Sequence, residues 1–232
     1  MRCAIMQPMY LPWAGYFNLI AVVDTFVFLD DVQLERQSWQ TRNRILLAGK
    51  EVLLSVPTQR VSLDTTIERI ALADATRWRH RHVTTLQQAY GKTPYGAVVL
   101  DRLVSVIGDT SITKLADLNL TLTRIFVELL DLPTRLLRAS ELGCGGKRTE
   151  HVIALCRHVG ASVYLSPQGA RDYLLADDFV GRSGIELEFQ QFTPAPYVQC
   201  RSADFVSHLS IVDVIANLGP TRSRAYVRSE RV

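Results

Sequence analysis

The stretch that most constrains this chain is its opening, where the apolar run Cys3-Ala4-Ile5-Met6 leads into a loop carrying Pro8 and Pro12. A short apolar run closed by turn residues reads as a buried strand. From Gly15 to Val23, the residues Tyr16, Phe17, Leu19, Ile20 and Val23 recur at helical spacing. Pro12 suits the first turn of that helix, because its missing N–H would have no partner there anyway. A second continuous run, Thr25-Phe26-Val27-Phe28-Leu29, ends in Asp30-Asp31-Val32-Gln33. Strand, loop, helix and strand in this order predict a βαβ unit with parallel strands. Ligands of open α/β sheets bind beyond the carboxyl ends of the strands. Gln7 and Tyr10 follow the first strand, while Asp30, Asp31 and Gln33 follow the second. All five are therefore expected around one crevice, with the N-terminus of the first helix pointing in.

The remaining pattern predicts an α/β fold, a βαβ-based and mostly parallel sheet with an all-helical middle segment. Residues 1–75 form an N-terminal α/β unit, 76–132 the helical segment, and 133–232 a C-terminal α/β unit that completes the same domain. Residues 34–41 are polar without periodicity and read as a loop closing over the crevice. Strands on either side of Gly49, the second over residues 51–58, predict a hairpin, and residues 66–72 alternate as a strand does. From Thr76 the period changes. Trp78, His82, Leu86 and Tyr90 fall four apart on one helix face, with Arg77, Arg79 and Arg81 on the other. Helices over 95–107 and 112–130 follow. A strand over 136–140, a helix over 149–159 stopped by Gly160 and a strand over 162–166 predict a second βαβ unit. A short helix to Leu175 and a strand through Ile185, Leu187 and Phe189 come next. Ser210-Ile211-Val212-Asp213 has the spacing of a capping box, which makes Asp213 a helix cap rather than a catalytic acid. The tail, with Arg222, Arg224, Arg228 and Arg231, reads as a solvated terminus.

Composition narrows the function classes. With 232 residues, 47% hydrophobic and 21% charged, the chain can bury a core as an ordinary globule does. No apolar stretch approaches the roughly 20 residues needed to span a bilayer, and the N-terminus lacks the features of a signal peptide, so a cytoplasmic location is expected. A net charge of +3 admits an anionic small-molecule partner but argues against nucleic acid. The four cysteines, Cys3, Cys144, Cys156 and Cys200, form no CxxC spacing, which speaks against a zinc site or a disulfide framework.

Asp30-Asp31 is the leading acid/base or metal-binding element. A turn at the strand's end would present both carboxylates, and Mg²⁺ is commonly held by one or two carboxylates beside substrate phosphates; the competing reading is a turn or cap pair. Gln7 and Tyr10 offer hydrogen bonds, Gln33 an amide at a strand end, and Trp13 a flat face for a sugar ring or a base. Tyr16 reads as core. Arg42 and Asn43, beside Trp39 and Arg44, form a compact donor set suited to phosphate oxygens. Lys147 and Arg148 precede the helix from Thr149, where anions are attracted, although Gly143-Cys144-Gly145-Gly146-Lys147-Arg148-Thr149 is not a phosphate-binding loop of the Walker type. His151, in the first turn of that helix, is the histidine placed to act as acid or base.

Three blocks carry a family resemblance: Gln7-Pro8-x-Tyr10-Leu11-Pro12-Trp13-x-Gly15-Tyr16-Phe17, then Phe26 to Gln33, then Ser38-Trp39-Gln40-x-Arg42-Asn43-Arg44-Ile45. Together with Ser140-Glu141-Leu142, Tyr164-Leu165-Ser166, Gly169-Ala170-Arg171 and Leu209 to Asp213, they resemble the WbqC-like family over nearly the whole chain. The resemblance implies a place in O-antigen and related surface-polysaccharide synthesis, with glycine transfer suggested, and it adds Ser166 and Gly169 to the candidate site. The expectation is a transferase acting on a phosphorylated or nucleotide-linked sugar, with no cofactor specified beyond Mg²⁺. A nucleotidylyltransferase-type α/β enzyme is the alternative, although Trp13 and Tyr16 stand where its signature histidines would be sought. A non-catalytic binding protein of a biosynthetic complex is the third reading.

Overall fold

The computed structural model of the protein describes residues 1–34, 38–62, 64–74, 77–200 and 202–230. The expected βαβ unit is present. β1 (Arg2–Met6), α1 (Ala14–Ala21) and β2 (Thr25–Phe28) bring Cys3 opposite Thr25 and Met6 opposite Phe28 in a parallel pair. Successive strand residues point to opposite faces. Ala4, Phe26 and Phe28 therefore enter one apolar layer, and Cys3, Ile5 and Val27 the other. Burial on both faces is why these strands read as continuous apolar runs rather than alternating ones.

β3 (Arg42–Leu47) and β4 (Lys50–Ser55) form the antiparallel hairpin. Its two turn residues, Ala48 and Gly49, both have positive φ (50° and 75°), as a tight two-residue turn requires. α2 (Trp78–Tyr90), α3 (Gly96–Gly108) and α4 (Leu115–Leu129) pack into the same apolar cluster as α1 and one sheet face. β5 (Arg135–Arg138) leads through α5 (Ala139–Leu142) and α6 (Thr149–His158) to β6 (Val163–Ser166). Then come α7 (Arg171–Ala176), α8 (Phe179–Ser183), β7 (Glu186–Phe189) and α9 (Ile211–Val227). α6 and α8 cover the second sheet face.

The sheet order is β5-β2-β1-β6-β7, with every neighbouring pair parallel. Counted along the chain this is 3-2-1-4-5, the doubly wound arrangement, and its direction reverses between β1 and β6. The reversal opens a gap at the carboxyl ends of those two strands.

Several expectations change. β5 and β6 are joined through α6 in one parallel sheet, as the second βαβ unit requires, but they are not neighbours: β5 adds outside β2 and β6 pairs with β1. Residues 67–69 form a 3₁₀ turn, not a strand, because Ile67 and Ile70 are buried three apart against α4. Arg79 is not on a solvated face: it is 7% exposed, pairs with Asp74 and donates to the carbonyls of Ile107, Asp109 and Ile112. The tail is ordered through α9, with Arg224 paired to Asp131. Residues 35–37 of the expected covering loop, Thr76 at the expected helix start, and Arg231 lie outside the described residues. Ser210 caps α9 with its hydroxyl as expected. Asp213 does not reach back; its buried carboxylate accepts from Tyr90, Tyr197, Gln199 and Asn217. Burial pushes that carboxyl upward, and the four donors oppose the push.

Candidate functional site

The loop after β1 sits deep in the protein, so its backbone carbonyls need protein donors. The motif side chains supply them. Asn43 donates to the carbonyls of Tyr10 and Leu11 (3.2 and 2.8 Å), Asn119 to that of Pro8, and the Tyr16 hydroxyl to that of Gln7. Gln40 holds the Gln7 side chain, and the Tyr10 N–H donates to the Trp39 carbonyl. Trp13 caps α1 with extended backbone, and its ring folds back over Gly15. A Cβ at Gly15 would lie 2.1 Å from the indole, so only glycine permits this ring position.

Two clefts flank Trp13, and both include Met6 at the end of β1. The first, about 300 Å³, lies at the β1–β6 reversal between Trp13 and the Pro167-Gln168-Gly169 turn, with Gln190 and Phe192 on its wall. The second, about 280 Å³, runs between Trp13 and Trp39 and includes Met9, Asn43, Arg44 and His208. His208 stacks on Trp13 at 4.7 Å with 29° between the rings, and its φ is +58°. A non-glycine residue held in that region is strained, and such strain gathers at functional sites. Neither His208 nor Gln168 carried a sequence signal, since neither belongs to a periodic or charged pattern.

The carboxylate pair separates. Asp30 is fully enclosed: its oxygens accept from Arg138 and from the N–H and hydroxyl of Ser140 (3.0 and 2.9 Å). It ties the end of β2 to the β5–α5 corner and cannot meet a substrate. Asp31 faces the other way, towards α6, where His151 Nε2 lies 3.1 Å from its carboxylate and His151 Nδ1 lies 3.1 Å from the Gly145 carbonyl. Both neighbours are acceptors, so both ring nitrogens donate, and the imidazolium is favoured. The hydrogen bond to Asp31 raises the His151 pKa, burial opposes it, and Gly145 adds to the rise. Gly146, at φ +102°, lets the loop turn against α6, where a Cβ would meet the His151 amide at 2.9 Å. Asp31 follows Leu29, whose N–H donates to the Met6 carbonyl, so the pair shares the carboxyl edge with the two clefts.

Other candidates fall elsewhere. Tyr10 is sealed in the core, its hydroxyl 2.8 Å from His82 Nδ1, and burial raises its pKa. Ser166 is fully buried, with its hydroxyl on the Pro167 carbonyl. Asn43 borders a cleft, but both its donors and its acceptor serve backbone. Gln33 is exposed and bridges Thr66; Lys147 is exposed ahead of α6; Arg42 is half-buried on β3. Burial, then the charge of Asp31, raises the Cys144 thiol, which makes it a poor nucleophile. Among the described residues no three His, Cys, Asp or Glu side chains gather as a metal site. With Asp30 committed to Arg138, a Mg²⁺ held by the Asp30–Asp31 pair does not fit. A further cavity, about 610 Å³, lies between the segment after β7 and α9, and two of its polar residues, Tyr197 and Asn217, are turned to Asp213.

The two buried histidines should titrate in opposite directions. Burial, reinforced by Arg81, lowers His82 from 6.5 to about 4. The unfolded chain therefore takes up a proton that the native state refuses as pH falls from 6.5 towards 4, and His82 costs stability over that window, about 3 kcal/mol at its end. His151 is raised, so its contribution is complete below 6.5 and is lost as pH rises through its native value. An NMR titration should find His82 neutral at pH 5 and His151 still charged above pH 6.5.

These features define a doubly wound α/β protein with a crevice at its strand-order reversal. The chain belongs to the WbqC-like protein family, whose sequence model matches residues 7–225. It is similar to a protein of Mycobacterium tuberculosis (strain ATCC 25618 / H37Rv) described only as uncharacterised, 32% identical over 173 residues that make up 75% of each chain. No solved structure matches the chain. Among the described residues no helix is long and apolar enough to cross a membrane.

Proposed function

We propose that this protein is a transferase acting on a phosphorylated or nucleotide-linked sugar in surface-polysaccharide synthesis, with transfer of a small group such as glycine as its chemistry. The observation that carries the reading is the cleft beside Trp13 at the β1–β6 reversal, the position where doubly wound sheets bind ligands, with a second cleft that shares Met6 and Trp13. The first cleft sets the edges of Trp13 and Phe192 beside Gln168 and Gln190. The Gln190 NH₂ is given to Gly15 and Asn18 and the Gln168 NH₂ to the Gln190 carbonyl, which leaves the amide oxygens as acceptors for sugar hydroxyls. Asp31 is the base that takes the proton from the sugar amine or hydroxyl as it attacks the carbonyl of an activated glycyl ester, whose alcohol leaves as the ester C–O bond breaks. The Asp31 carboxylate is 20% exposed, and the 7%-exposed His151 imidazolium orients it. A base of this kind fits a transfer to an amine or a hydroxyl. Family membership supports the polysaccharide context.

The test is a thermal-shift panel of sugar phosphates, nucleotide sugars and glycine, since a ligand that binds only the native state raises the melting temperature. A rise with the activated sugars supports the reading, and a flat response to all of them removes it. Release of pyrophosphate from a nucleoside triphosphate would favour the nucleotidylyltransferase alternative instead.

A further inference from the structure

We propose that the cleft between Trp13 and Trp39 holds the nucleobase of the nucleotide-linked sugar, by stacking and without choosing among bases. This rests on the reading above and assigns its second cleft. The two clefts share Met6 and Trp13, so one ligand can run from one to the other past the indole edge. Their walls differ: to Met6 and Trp13 the first adds Phe192, Gln190 and the Pro167-Gln168-Gly169 turn, whereas the second adds Met9, Trp39, Arg44 and His208. A flat π-system in the second gains stacking on Trp39, which is 44% exposed at the cleft's border.

The polar side chains at this cleft serve the protein. Asn43 is fully engaged with the loop backbone. Arg44 holds its guanidinium 5.6 Å from the Trp39 ring and gives Nη1 to Glu51 at 2.7 Å. Recognition here therefore comes from the flat faces, and every nucleobase has one.

The chain's third tryptophan, Trp78, is only 1% exposed, so fluorescence quenching reports mainly on Trp13 and Trp39. Titration with UMP, AMP and glucose 1-phosphate is expected to show both nucleotides quenching and binding about tenfold tighter than glucose 1-phosphate. Trp39→Leu should weaken both nucleotides about tenfold and remove most of the quench, with an unchanged circular dichroism spectrum because the residue is exposed. Binding of glucose 1-phosphate as tight as that of the nucleotides, or an undiminished UMP affinity in Trp39→Leu, overturns the assignment. If glucose 1-phosphate binds and neither nucleotide does, the base pocket falls while the sugar site stands. If nothing binds, both fall.

Discussion

Asp31→Asn is expected to slow transfer by 10²- to 10⁴-fold, the range over which a positioned acid or base contributes, while the protein stays folded. Asn keeps an oxygen for the His151 Nε2–H, so the geometry at α6 survives, but the negative charge is gone. The largest influence raising the His151 pKa is its hydrogen bond to Asp31. In the variant the His151 titration should therefore move down towards the ordinary histidine range, which is visible by NMR without knowledge of the substrate. A lowered His151 midpoint with an unaltered transfer rate would mean that the pair is structural and that the base lies elsewhere. His151→Asn should give a milder loss, because it removes the group that orients the base rather than the base itself.

Arg138→Ala is expected to destabilise the protein by about 3 kcal/mol, in the range for breaking a buried ion pair by removing one partner. Asp30 is fully buried, and without Arg138 its carboxylate keeps only the Ser140 donors. Arg138 also holds Asp117 on α4 at 2.9 Å, so the loss reaches across the β2–β5 edge to the helical layer. Urea denaturation would measure it. Adding Asp30→Asn to the Arg138→Ala protein should recover part of the loss, because an amide needs no countercharge. A further drop in the double variant would contradict this account of Asp30.

The sheet was legible because its signals are local. Cys3 to Met6 and Thr25 to Leu29 are apolar throughout, and residues buried on both faces leave no other pattern. The strand order was not legible. Nothing in the sequence says that β5 joins β2 rather than β6, since that choice depends on contacts distant along the chain. The candidate site was half legible for a related reason. The first-loop motif correctly marked a concentration of polar side chains, but sequence cannot show whether an amide faces a ligand or a carbonyl. Asn43 and Tyr10 turned out to build the loop, and Asp30 to lock a corner, whereas its neighbour Asp31 faces α6. His208 reaches Trp13 from almost the whole length of the chain away, and no spacing rule could have joined them.

Hydrogen exchange, with and without the activated sugar that most raises the melting temperature, tests the central claim most directly. Slowed exchange in residues 7–13, 167–169 and 208–210, with 194–200 unchanged, is the predicted result. Protection confined to 194–200 and the end of α9, around the cavity of about 610 Å³, with the first loop untouched, would contradict it.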